Sequence, residues 1–162
     1  MLSYLKPMTE ADLDSIVEIE KRAYDYPWSQ QGFENSLDQG LNYIFCNEAG
    51  QLLGYCCVLP VLDEAHLLNI CISRDFQGKG VAQQAIKKLF DVLLKSNFSV
   101  VFLEVRASNH PARQLYRKLG FTEDGVRSNY YRSKAWCEKQ NQLVDAKEDA
   151  ILMSYHLESD SA

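Results

Sequence analysis

Long apolar runs are missing from this sequence. No uninterrupted apolar stretch approaches ~18 residues, the length that spans a bilayer, and the N-terminus has no basic segment followed by an apolar core. The expectation is a cytoplasmic chain with no membrane partner. An excess of basic residues is missing too: 17 Lys and Arg stand against 22 Asp and Glu, for a net charge of -5. That balance argues against nucleic-acid binding through a basic face and favours the approach of a cationic protein or amine. The five cysteines (Cys46, Cys56, Cys57, Cys71, Cys137) lack Cys-x-x-Cys spacing. Most lie in apolar strand-like runs and read as reduced core residues. His66, His110 and His156 are scattered, so no metal site is expected. Internal repeats and low-complexity tracts are also absent.

What is present is ordinary globular material. With 162 residues, 46% of them hydrophobic and 24% charged, the chain is sized for one domain with a real core. The reading is a single domain over 1–157 with a polar tail at 158–162. Its central stretch is an apolar strand (67–72), a short polar turn (73–76), then Gln77-Gly78-Lys79-Gly80-Val81-Ala82 leading into a helix. In that helix Ala82, Ala85, Ile86, Leu89, Phe90, Leu93 and Leu94 recur at three- and four-residue steps. Lys87, Lys88, Asp91 and Lys95 take the other face. The first N–H groups of a helix have no internal acceptor and carry the positive end of its dipole, so small residues there form an anion site. A P-loop requires Gly-Lys followed by Ser or Thr, and a dinucleotide fingerprint requires a third glycine where Gln83 stands; both readings fail.

In chain order, a short strand over 2–6 precedes a helix for which Thr9 is a candidate N-cap, with Leu13, Ile16, Val17 and Ala23 inside. That helix should end before Pro27. Ser29 caps a second helix ending at Gly40. Strands are expected at 42–47, 52–62 and 65–72, joined by short turns as an antiparallel meander. The run 98–105 reads as a strand covered on both faces. Pro111 opens a helix stopped by Gly120, and 150–157 is a last strand.

Several separated motifs now coincide. The spacing of Gln77, Gly80 and Ala82 resembles the acetyl-CoA pyrophosphate loop of the GNAT acetyltransferase superfamily. Glu20-Lys21-Arg22-Ala23, Pro27-Trp28-Ser29, Asp63-Glu64-Ala65, the segment Leu103 to Asn109, Leu115-Tyr116-x-x-Leu119-Gly120-Phe121, Asn129-Tyr130-Tyr131 and Glu148-Asp149-Ala150 resemble the bacterial ribosomal-protein-alanine N-acetyltransferases of RimI type. The resemblance implies an α/β (α+β) GNAT fold, with a central mixed, mostly antiparallel sheet flanked by helices. It implies acetyl-CoA as donor and the N-terminus of a ribosomal protein as acceptor. One departure is the long polar segment from Arg132 to Lys147, which leaves the acceptor less constrained than the donor.

Amide formation from a thioester needs a neutral amine, a stabilised oxyanion and a proton for the leaving thiolate. Glu104, a carboxylate within an apolar run, is the candidate base; the bland alternative is an ion pair with Arg106 or another cation. By resemblance Tyr116 is the candidate acid, and otherwise a core aromatic. The family pattern assigns donor binding to Ile70, Cys71 and Ile72, to Gly78, Lys79, Gly80, Val81, Ala82 and Gln83, and to Asn109, which could instead be only a helix cap. It assigns Pro27, Trp28, Tyr130 and Tyr131 to the acceptor groove; otherwise they anchor loops. Cys71 has no neighbouring His or Lys to activate it, which favours direct transfer over an acyl-enzyme. Two other readings stay open: a lysine or small-amine acetyltransferase, and a non-catalytic acyl-CoA sensor.

Overall fold

The computed structural model describes residues 1–158, and among these it falls into two compact units. Met1–Val101, with residues 156–158, forms the first; Phe102–Tyr155 forms the second. The tail expected at 158–162 lies, but for Glu158, outside the described residues.

In the first unit β1 (Tyr4–Pro7), β2 (Leu41–Cys46), β3 (Leu52–Val61) and β4 (Glu64–Ile72) pair antiparallel in sequence order; the meander reading expected this of the last three, and β1 joins them beside β2. The register shifts between Cys57 and Val58, which face Asn69 and Leu67, so Leu68 is an extra residue in β4. α1 (Leu13–Ala23) starts after a short 3-10 turn at Glu10–Asp12, where the Thr9 N–H donates to the Asp12 carboxylate at 2.8 Å. Ser29 Oγ accepts from the Gly32 N–H at 3.1 Å and caps α2 (Gln30–Gln39). That helix does end at Gly40, for a reason the sequence did not reveal. Gly40 is extended (φ -113°) rather than left-handed, and a Cβ there would stand 2.7 Å from the carbonyl oxygens of Ser36 and Val58. Leu13, Ile16, Phe33, Ile44, Tyr55, Cys57 and Cys71 build the core of this unit. In α3 (Val81–Lys95), Val81, Ala85, Ile86, Leu89 and Leu93 are buried and the lysine face is exposed, as its periodicity predicts.

β5 (Val100–Arg106) runs from the first unit into the second. The expectation of a strand covered on both faces needs correction. Leu103 and Val105 are buried, while Phe102, Glu104 and Arg106, at alternate positions, are only half-buried. α4 (His110–Leu119) is capped by Asn109 and ends at Gly120, left-handed with φ +107°; Phe121 N–H then bonds back to Tyr116 O at 2.9 Å. The larger difference lies beyond. β6 (Thr122–Cys137) and β7 (Gln142–His156) form one long antiparallel hairpin, so the polar segment 132–147 is strand on either side of a turn at 138–141. Most of its side chains are exposed, so no apolar alternation marks it in the sequence. Between Arg127 and Tyr131 the register shifts, with Asn129 left-handed (φ +53°) and its N–H held by Asp149 Oδ1 at 2.9 Å.

Candidate active site

The donor half of the predicted site lies in the first unit. Gly78 and Gly80 both take positive φ, +73° and +79°, and Gly80 is the N-cap of α3. Gln84 N–H is the first to bond back, to Gly80 O at 3.2 Å. By helix geometry the N–H groups of Val81, Ala82 and Gln83 therefore have no acceptor inside α3. A Cβ at either glycine would meet no protein atom within 4 Å, so the turn leaves an open cradle of main-chain donors at the positive end of a helix. These features fit a pyrophosphate. Gln77 Nε2 donates to Ile72 O at 2.9 Å and ties the turn to the end of β4. The segment Ile70–Ile72, expected to bind the donor, and the turn are thus joined within one unit. Cys71 is buried, and burial pushes its thiol up to about 11, so it is no thiolate at neutral pH.

The acceptor-wall candidates Pro27 and Trp28 occupy the α1–α2 connection. The Trp28 ring lies against Phe33, with centroids 5.2 Å apart, and Trp28, Ser29 and Gly32 line a shallow, open surface hollow of ≈ 320 Å³. Tyr24 Oη, four residues earlier, donates to Ile70 O at 2.5 Å. That link between the connection and β4 was not foreseen.

The second unit holds Glu104, Asn109, Tyr116, Tyr130 and Tyr131. Glu104 Oε1 is 3.2 Å from Arg127 Nη2, and the carboxylate side chain remains 29% exposed. Arg106 instead pairs with Glu148 at 2.9 Å and lies 4.5 Å over the Tyr131 ring; Arg127 lies 4.7 Å over Tyr130. Burial acts to raise the Glu148 carboxyl, but hydrogen bonds from Arg106 and Ser108 prevail and hold it below the usual range. Tyr116 is buried and packs on Phe121 at 5.5 Å; burial, then the nearby Tyr131, pushes its phenol up to about 12. Burial, followed by the Glu104 charge, pushes Tyr131 up to about 12 as well. Asn109 Oδ1 accepts from the Ala112 N–H at 3.3 Å, so this oxygen serves as a cap. The Arg127 partner of Glu104 escaped the sequence reading because the pair spans two strands.

Residues 13–121 match the model of the Acetyltransferase (GNAT) family. The chain belongs to that family. It is 34% identical over 154 residues to the [Ribosomal protein bS18]-alanine N-acetyltransferase of Escherichia coli strain K12, covering 94% of this chain and 97% of that protein. The protein of the same name from Haemophilus influenzae is 34% identical over 158 residues, covering 96% and 100%. The crystal structure of the ribosomal-protein-S18-alanine N-acetyltransferase from Escherichia coli superposes with a TM-score of 0.83 at 31% identity, over 100% of this chain and 99% of that one. The α/β GNAT fold, with its mostly antiparallel strands and flanking helices, is therefore the fold of this acetyltransferase. Among the described residues no group of His, Cys, Asp and Glu could hold a metal, and no helix is long and apolar enough to cross a membrane.

Proposed function

We propose that this acetyltransferase moves the acetyl group of acetyl-CoA to the N-terminal α-amino group of a protein, the N-terminal alanine of a ribosomal protein being the favoured acceptor. One observation carries the donor assignment: the open cradle of α3 N–H groups behind Gly78 and Gly80, tied to β4 through Gln77. Acceptor assignment rests on the near full-length similarity to enzymes named for alanine acetylation of ribosomal protein bS18. A cationic acceptor also suits a chain of net charge -5.

Each chemical need then has a residue. Asn109 and the main chain of Val81, Ala82 and Gln83 hold the donor with Gly78, Lys79 and Gly80, while Ile70, Cys71 and Ile72 pair with its pantetheine arm as an added strand would. Pro27, Trp28, Tyr130 and Tyr131 wall the acceptor groove. Glu104 takes a proton from the α-ammonium, directly or through a water; roughly a tenth of such amines is neutral at pH 7 without help. The neutral nitrogen attacks the thioester carbonyl, a β4 N–H polarises the developing oxyanion, and as the C–S bond breaks the nitrogen releases its remaining surplus proton to solvent, leaving the neutral amide. Tyr116, held protonated by its burial, gives its proton to the departing thiolate. Residues 1–157 act as one catalytic domain in this reading, supported by a family match at 13–121 that crosses the boundary between the two units. The enzyme works in the cytoplasm, without metal, nucleic acid or membrane.

A panel of short peptides varied in their first residues, assayed by free thiol release and mass spectrometry, tests this. Acetylation of Ala-initiated peptides on the α-amine is expected. Turnover only on lysine side chains or small amines, or acetyl-CoA binding without turnover on any amine, overturns the proposal.

A further inference from the structure

Glu20 is a buried carboxylate to which the mechanism above gives no role. It lies on α1 with 1% relative exposure, and three neutral groups donate to its two oxygens. Tyr55 Oη reaches Oε1 at 2.5 Å, Asn69 Nδ2 reaches the same oxygen at 3.0 Å, and the Trp28 main-chain N–H reaches Oε2 at 2.9 Å. Burying a carboxylate is costly unless its lone pairs are satisfied, so each of these donors is held firmly by the charge it serves. The three attach to different places. Tyr55 belongs to the core of β3, Asn69 adjoins the extra residue Leu68 in β4, and Trp28 lines the open hollow on the α1–α2 connection.

We propose that Glu20 is a positioning residue for acceptor binding: its carboxylate fixes the Trp28 main chain relative to Asn69 of β4 and so sets the wall against which the acceptor's first residues lie. This rests on the assignment of Trp28 to the acceptor groove. The carboxylate suits this place better than an amide because both of its oxygens accept. A glutamine has one acceptor oxygen, so its NH2 must face either the Trp28 N–H or the pair formed by Tyr55 and Asn69. Facing the Trp28 N–H, the NH2 meets a fixed donor; facing the pair, it obliges the Tyr55 hydroxyl and the Asn69 amide to turn round and give up their present geometry. A purely space-filling role for Glu20 predicts no such difference, since glutamine has nearly the same volume.

The chain has two tryptophans, Trp28 and the exposed Trp136. Trp136→Phe therefore leaves Trp28 as the sole indole reporter. In that background Glu20→Gln should shift the Trp28 emission to the red and lower its anisotropy. It should also raise KM for an Ala-initiated peptide about tenfold or more, the loss expected of one hydrogen bond to a charged group, while leaving acetyl-CoA affinity by calorimetry unchanged. Should Glu20→Gln not fold, Asn69→Ala and Tyr55→Phe each remove one donor from Oε1 and should move emission and peptide KM part-way in the same directions. Emission and peptide KM that stay at the parent values overturn the proposal. Trp28→Ala separates the two layers: if it leaves peptide KM unchanged while Glu20→Gln still moves the emission, the groove assignment fails and with it the role in acceptor binding. A raised peptide KM in Trp28→Ala with an unmoved emission in Glu20→Gln keeps the groove and removes Glu20 from it.

Discussion

Arg127 places a guanidinium nitrogen 3.2 Å from the Glu104 carboxylate across two strands of the second unit. Both side chains are partly exposed, 51% and 29%, so solvent screens the pair and its worth to stability is about 1 kcal/mol or less. Arg127→Gln should therefore lower the melting temperature by only a few degrees, roughly 2–4 °C for a chain of this size. Thermal unfolding of the two proteins side by side checks it, and a collapse of the fold would show that the pair carries far more than a surface ion pair does.

The role of Glu104 as base makes a sharper demand. Glu104→Gln keeps the shape and one acceptor oxygen, so acetyl-CoA and peptide should bind nearly as in the parent, while turnover falls about 10²- to 10⁴-fold. The loss should shrink as pH rises toward the pKa of the acceptor amine, because more substrate then arrives neutral. Parent and variant pH–rate curves that run parallel from about pH 6 to 9.5 would leave Glu104 as the structural partner of Arg127.

Tyr116 separates chemistry from packing. Tyr116→Phe keeps the contact with Phe121 and removes only the hydroxyl, so kcat should fall with little change in melting temperature near neutral pH. At high pH the sign reverses in the variant's favour. The phenol is raised in the fold from 10.0 to about 12, so its contribution is fully present below pH 10 and is lost as pH climbs through the folded value. Over that window the parent should lose more stability than Tyr116→Phe. Denaturant unfolding at pH 8 and pH 11 measures the difference, and equal losses would show that the buried phenol is not the group titrating.

What could be read beforehand follows from where information sits along the chain. The α3 stripe, the Ser29 cap and the Gly120 stop are local patterns, and each element formed where its residues indicated. The open main-chain cradle was legible for the same reason: Gly78 and Gly80 stand directly before the helix they open. Of the β6–β7 hairpin only the apolar end of β7, read as a strand at 150–157, was legible; β6 and the start of β7 are mostly exposed and carry no period-two signal. Glu20 was visible as the first residue of a motif resembling the family and as a charged residue on an amphipathic helix, but its three donors come from residues 28, 55 and 69, and nothing along the sequence brings these together. Glu104 lies between these cases, since its place in an apolar run marked it as unusual but could not name Arg127 as its cation.

Gly54 tests the close approach of β3 to β4. A Cβ there would lie 2.2 Å from Cys71 O and 3.1 Å from Ile72 Cα, both main-chain atoms that cannot turn aside. Gly54→Ala must push β4 away at the segment assigned to the pantetheine arm. A loss of about 3 kcal/mol or more is expected from such overpacking, with acetyl-CoA affinity falling in whatever protein remains folded. Chemical denaturation and calorimetry on the folded fraction read the two effects, and unchanged affinity would detach Cys71 and Ile72 from donor binding.

Gly80→Asp tests the cradle itself. The position has φ +79°, so any side chain there bears left-handed strain of about 1–2 kcal/mol, yet no protein atom lies within 4 Å of a Cβ. The fold should therefore survive. Its carboxylate, standing at the N-cap of α3, would occupy the space left for a pyrophosphate and repel it, and acetyl-CoA binding should vanish. Gly80→Ala carries the same backbone strain without the charge, so it should weaken binding far less than aspartate does. Calorimetric titration of acetyl-CoA into both variants decides between charge and strain. Equal losses would assign the effect to the backbone, and parent-like affinity in Gly80→Asp would place the donor's phosphates away from the start of α3.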